Sequence, residues 1–217
     1  GKFINEGTDS IAEISREIGV SIPTVTKLIG ELIDEGLIEE VGKLGTTGGR
    51  RPSIYGLNPS AGYIAGVEIR LHHISMAITN FKGEIIDFQE DIPYTLESSE
   101  ESFRAFCTFL KNLVDKTGID RTKVLAYGFN LSGRVNNETG YCFSYFIGED
   151  RPVSEVFKEE LGARVFVEND SRAMTYGEYI CGIGNNEKNM LFLNVSWGLG
   201  MGMIIDGNLS YGKSGFS

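Results

Sequence analysis

Apolar residues recur at helical spacing twice near the start of the chain. Ile11, Ile14 and Ile18 form the first set; after the break at Gly19, Val25, Leu28, Ile29 and Leu32 form the second. The spacing predicts amphipathic helices over residues 10–18 and 22–36 joined by a tight turn. Ser21 is placed to cap the second helix and Pro23 is tolerated in its first turn, which leaves Thr24, Thr26 and Lys27 on the polar face. Residues 37–41 and 54–57 then read as two strands, with Lys43-Leu44-Gly45-Thr46-Thr47-Gly48-Gly49 as the tip between them. Together these make a winged helix-turn-helix over residues 1–60, with an ordinary helical hairpin as the alternative.

Asn58-Pro59-Ser60-Ala61-Gly62 breaks the pattern, and a second domain is expected over residues 61–217. Strands are predicted at 63–68, 73–79 and 84–92, followed by a helix at 101–116, a strand at 123–130, a helix at 154–161, a strand at 164–167 and a helix at 171–181. The order implies a mixed sheet with helices, an α/β domain. Residues 190–195, 202–206 and 209–211 then repeat the opening three strands. Such a duplication suits an actin-like or hexokinase-like (ribonuclease H-like) fold that holds ligands between two lobes. The second copy stops at Ser217 before its helices. The chain is therefore expected to be a fragment with an incomplete second lobe and a missing first helix before Gly1.

Composition narrows the classes. The 217 residues are 41% hydrophobic, enough for buried cores, and no apolar run reaches the ~18 residues of a membrane helix. The start Gly1-Lys2-Phe3-Ile4-Asn5-Glu6 lacks a signal peptide's apolar region, so a cytoplasmic location is expected. Cys107, Cys142 and Cys181 are odd in number and far apart, and are expected to be buried thiols. The formal net charge of -10 opposes nucleic-acid binding, and residues 1–60 carry six Lys/Arg against nine Asp/Glu. Distribution argues the other way: Lys27, Lys43, Arg50 and Arg51 fall on the second helix and the wing. Few phosphate contacts would make affinity depend on specific groove contacts and on dimerisation.

Gly48-Gly49-Arg50-Arg51-Pro52, then Leu57-Asn58-Pro59 and Gly62-Tyr63-Ile64-Ala65-Gly66-Val67, resemble the sugar-responsive repressor branch of the ROK family. That family joins transcriptional regulators and sugar kinases on one fold. Glu168-Asn169-Asp170-Ser171-Arg172-Ala173 resembles the family's Asn-Asp-Ala segment, and the resemblance implies that Asn169 and Asp170 hold sugar hydroxyls. In the kinases that Asp is the catalytic base. Ser132-Gly133 resembles the sugar-proximal turn, residues 141–150 are expected to supply another sugar contact, and Gly198-Leu199-Gly200-Met201-Gly202 resembles the second Gly-rich loop. Where kinases carry Asp-x-Gly-Gly-Thr this chain has Glu68-Ile69-Arg70-Leu71-His72, and Ser196-Trp197 replace Gly-Thr in the second loop. Without those glycines the backbone amides cannot approach a triphosphate, so ATP binding is not expected. Gly198, Gly200 and Gly202 are then read as structural, as are His72 and His73. The family's zinc motif would lie beyond Ser217, and no cofactor is expected within these residues.

The resulting expectation is a homodimeric or larger DNA-binding regulator, most readily a repressor of sugar-utilisation genes, that is not an enzyme. Ser21, Thr24, Thr26, Lys27, Arg50 and Arg51 would face operator DNA. Thr24 and Lys27 would contact bases, Ser21 and Thr26 phosphates, and the two arginines the minor groove. Ser132, Gly133, Asn169 and Asp170 would face a sugar. The alternatives are a ROK-type ATP-dependent sugar kinase and a regulator that has lost its sugar.

Overall fold

The computed structural model describes residues 7–45, 51–97, 99–144, 151–185, 187–195 and 198–212. One compact unit comprises the chain up to Tyr63 with the hairpin tip Thr79–Ile86, and the other comprises Ile64–Ile78 with the chain from Asp87 onward.

In the first unit, helix α1 (Ile11–Ile18) opens with a capping box. The Ser10 hydroxyl accepts the Glu13 N–H at 3.3 Å, and the Glu13 carboxylate accepts the Ser10 N–H at 3.2 Å. Helix α2 (Ile22–Asp34) stops two residues earlier than its apolar spacing predicts. Gly36 turns left-handed at φ 73°, the Gly36 N–H donates to the Ile33 carbonyl, and the Leu37 N–H donates to the Leu32 carbonyl at 2.9 Å. That pair of bonds satisfies the helix's last carbonyls and ends it. Ile14, Val25, Ile29 and Ile38 form the buried core, with Ile11, Val20, Leu32, Tyr55 and Leu57 packed around it. Ile18 and Leu28, grouped with the apolar stripes by spacing, are nearly half exposed instead. Leu28 lies about 70° around the helix from the Val25–Ile29–Leu32 direction at 100° per residue, and this small core does not reach that far. Strands β2 (Ile38–Lys43) and β3 (Ser53–Leu57) pair antiparallel with a register shift between Glu40 and Gly42. A two-residue strand, β1 (Asp9–Ser10), adds to β3, too short for any periodicity to reveal.

The second region is built on a five-stranded sheet containing β4 (Tyr63–Ile69), β5 (His73–Asn80), β6 (Ile85–Pro93), β7 (Val124–Leu131) and β10 (Arg164–Asn169), in the order β10-β7-β4-β5-β6. β7 and β10 run parallel, as a helical crossover between them requires. Alternate residues Ala65, Val67, Ile69 and Ile74, Met76, Ile78 are buried, together with Tyr127, Phe129 and Leu131. Helices α3 (Glu100–Lys116) and α4 (Val153–Leu161) complete this core with Phe106, Leu110 and Phe157. The Phe157 ring stacks on Phe129 with centroids 4.2 Å apart and meets Phe103 at 4.6 Å. A short hairpin, β8 (Val135–Asn136) with β9 (Tyr141–Cys142), was not foreseen from the pattern.

Helix α5 (Asp170–Cys181) leads to a second sheet, β11 (Met190–Val195), β12 (Leu199–Ile205) and β13 (Asn208–Leu209). β12 starts three residues earlier than expected because Leu199, Gly200 and Met201 also pair with β11. A Cβ at Gly200 or Gly202 would collide with the Ser171 or the Thr175 hydroxyl of α5, so the glycines allow helix and strand to approach. Leu191, Leu193, Val195, Leu199 and Met201 are exposed on this sheet. Cys107 and Cys142 are buried as expected, but Cys181, at the last turn of α5, is exposed. Among the described residues no helix is long and apolar enough to cross a membrane, and no three His, Cys, Asp or Glu side chains cluster as a metal site.

Candidate functional site

Two places collect the residues singled out by the sequence. The first is the N-terminal turn of α2, where Ser21, Ile22, Pro23, Thr24, Thr26 and Lys27 are all exposed while Val25 anchors the helix in the core. The hydroxyls there are already engaged. Ser21 Oγ accepts the Thr24 N–H and bonds Thr24 Oγ1 at 2.8 Å, and Thr26 Oγ1 donates to the Ile22 carbonyl at 2.8 Å. Lys27 projects into solvent and pairs with Glu31 one turn on, at 3.7 Å. Arg51 is exposed at the foot of β3, and Lys43 is exposed on β2. Arg50 lies outside the described residues, as does most of the Gly-rich tip.

The second place is a cleft of about 1070 Å³ in the other unit. Ser132, Gly133, Asn169 and Asp170, four candidates scattered through the sequence, all line it. The strand order brings them together: β10 lies beside β7, so the ends of both strands open into the same space. Asn169 caps α5 by accepting the Arg172 N–H at 3.1 Å, and its amide donates to the Gly133 carbonyl at 2.9 Å. Ser132 Oγ donates to Asp170 Oδ2 at 2.7 Å, and the Ser171 N–H donates to Asp170 Oδ1 at 2.7 Å. A carboxylate, an amide and two hydroxyls so placed suit a ligand bearing several hydroxyl groups, with Met174 and Leu199 offering apolar surface beside them.

What supports this cluster is not visible in the sequence. Arg172 is 1% exposed, and its Nε and Nη2 both lie 2.7 Å from Glu168 Oε1. Nη2 also donates to the Val135 carbonyl at 2.7 Å, and the guanidinium lies over the Tyr211 ring at 5.4 Å. Glu168 Oε1 in turn accepts the Asn169 N–H at 2.7 Å. Burial, with the Glu168 carboxylate as the next cause, pushes the Tyr211 hydroxyl above its ordinary pKa. The available signal was an acid and a base four residues apart across a strand end, a pattern usually read as a solvated pair.

The turn between β4 and β5 lines the same cleft. The Arg70 N–H donates to the His73 carbonyl at 2.9 Å, which closes the turn. Arg70 Nε lies 3.1 Å from Glu68 Oε1, and its Nη1 lies 3.7 Å from Asp91. Side chains occupy a place where a phosphate cradle needs open backbone amides. His72 reaches Thr95 at 3.4 Å on the surface.

Residues 64–217 match the family model described as ROK family, and residues 6–39 match the model described as winged helix-turn-helix DNA-binding. The chain is similar to the xylose repressor of Bacillus spizizenii, 28% identical over 211 residues that cover 96% of this chain and 54% of that protein. It is similar to the DNA-binding transcriptional dual regulator NagC of Escherichia coli at 22% identity, covering 96% of this chain and 52% of that one. Among solved structures, a ROK family transcriptional regulator homologous to the E. coli MLC protein aligns with a TM-score of 0.70 at 20% identity. The alignment covers 96% of this chain and 53% of that chain. A ROK family glucokinase from Streptomyces griseus, solved with glucose and AMPPNP, aligns with a TM-score of 0.59 at 24% identity over 72% of this chain and 48% of that one. These structural likenesses show the fold. The chain spans about half the length of the relatives it matches.

Proposed function

The chain belongs to the ROK family, and from that premise we propose that it forms the operator-reading and effector-sensing part of a sugar-responsive transcriptional repressor. The observation that carries this reading is the pairing, in one chain, of an exposed reading helix with a polar cleft built around Asp170. Relatives named as a repressor and as a dual transcriptional regulator match across both parts.

In this reading Lys27 and Thr24 meet base edges, Arg51 enters the minor groove, and Lys43 on the wing meets phosphates. Arg50 is assigned the same role as Arg51 by its place in the sequence. Ser21 and Thr26 serve the helix itself, by capping and by back-bonding to Ile22. A sugar hydroxyl donates to Asp170, whose two oxygens are oriented by Ser132 and Ser171, and Asn169 accepts or donates beside it. The protein acts as a cytoplasmic homodimer on a palindromic site. Sugar binding favours a lobe arrangement in which the two reading helices no longer match the half-site spacing. No cofactor is assigned to residues 1–217.

The kinase alternative draws on Asp170 and on the shared glucokinase fold. Against it stands the β4–β5 turn, where the Arg70–Glu68 pair replaces a phosphate cradle. Fluorescence anisotropy of the complete protein on its own upstream DNA, with and without a panel of hexoses, pentoses and amino sugars, tests the reading. Specific binding altered by one sugar is the expected result. Phosphoryl transfer from ATP to any sugar would establish the alternative.

A further inference from the structure

The first turn of α2 is a hydrocarbon tip. Ile22 is 54% exposed at the first helical position, contributes little to the core, and is followed by the exposed Pro23. The hydroxyls around it are partly engaged locally: Ser21 and Thr24 bond each other, and Thr26 donates to the Ile22 carbonyl. Farther along, the exposed acids Glu31, Asp34 and Glu35 crowd the C-terminal half of the helix, where phosphates would be repelled. The helix therefore presents its N-terminal end to a groove, with Ile22 and Pro23 leading and Lys27 one turn behind. In the major groove the hydrocarbon group on a base edge is the thymine 5-methyl.

We propose that Ile22, supported by Pro23, reads thymine methyl groups in each half-site, so that part of the operator code is apolar. This rests on α2 being the reading helix. Burying one methyl group corresponds to roughly fourfold in affinity, and the contact adds no phosphate neutralisation, so it leaves the salt dependence unchanged.

The test uses the duplex that the complete chain selects from a random-sequence pool, with thymidine replaced by deoxyuridine one position at a time. At one or two positions per half-site, the loss of the methyl should weaken wild-type binding about fourfold. Ile22→Ala should bind the thymine duplex correspondingly less tightly and show no further loss with uracil, while Lys27→Ala keeps the uracil effect. Thermal unfolding should show Ile22→Ala folded, as its exposure implies. Selection of a specific duplex with no uracil effect anywhere, or with the full effect retained in Ile22→Ala, overturns the proposal and leaves the DNA-binding reading intact. Dissociation of a dimer by Ile22→Ala, with equal losses on thymine and uracil duplexes, overturns it in favour of a protein contact. Failure to select any duplex overturns both readings.

Discussion

The N-termini of α2 and α5 begin with the same local device and end in different uses. Ser21 caps α2 by accepting the Thr24 N–H, and Asn169 caps α5 by accepting the Arg172 N–H. Beyond its cap, the outer face of α2's first turns stays in water, where Lys27 pairs with Glu31 on the surface. Beyond its cap, α5 is locked: Arg172 is buried, Glu168 is held by three donors, and Asp170 is fixed by Ser132 and Ser171. An exposed tip suits a large partner that brings its own surface. A pre-organised polar cluster in a cleft suits a small ligand that must be oriented.

The widest gap between the two ends should appear in stability. Arg172→Met leaves the Glu168 carboxylate without its partner and should cost about 3–5 kcal/mol in denaturant unfolding. A loss below about 1 kcal/mol would mean that the α5 end is as loosely held as the α2 end. Asp170→Asn removes a charged acceptor and should weaken the responsive sugar at least about tenfold by calorimetry, with sugar-free DNA affinity unchanged. Lys27→Ala should lower operator affinity by about 1–3 kcal/mol in anisotropy titrations and leave sugar affinity alone. An effect of Lys27→Ala on sugar binding would erase the division of labour between the two helix ends. Ser21→Ala should cost about 1 kcal/mol of stability through the lost cap, and DNA affinity should fall only as far as α2 frays.

Much of the architecture was legible because helical and strand periods are local properties. Every predicted strand and helix of the second region is present within a few residues, and the misses have identifiable causes. The hairpin of β8 and β9 rests on four residues, too few to show alternation. Gly200 and Gly202 were legible as structural glycines, but not why: the sequence does not show that α5 crosses β12 closely enough to require them. In the candidate sites, Asn169 and Asp170 were visible as a motif, whereas Arg172 and Glu168 were not. A charged side chain is buried only when its partners converge from elsewhere, and Val135 and Tyr211 come from distant parts of the chain.

By itself, then, the chain's pattern determined two helices and a wing ahead of an α/β domain, the loss of glycines from the β4–β5 turn, and which residues carry charge on α2. Those are consequences of period, turn chemistry and side-chain size, which act between near neighbours. Only the tertiary structure decided that Ser132, Gly133, Asn169 and Asp170 share one cleft, that Leu28 lies outside the core, and that the hydroxyls of Ser21 and Thr26 are turned back onto their own helix. Each of these depends on the pairing of strands distant in sequence or on the rotation of a helix against its core, which side-chain packing sets and no local window contains.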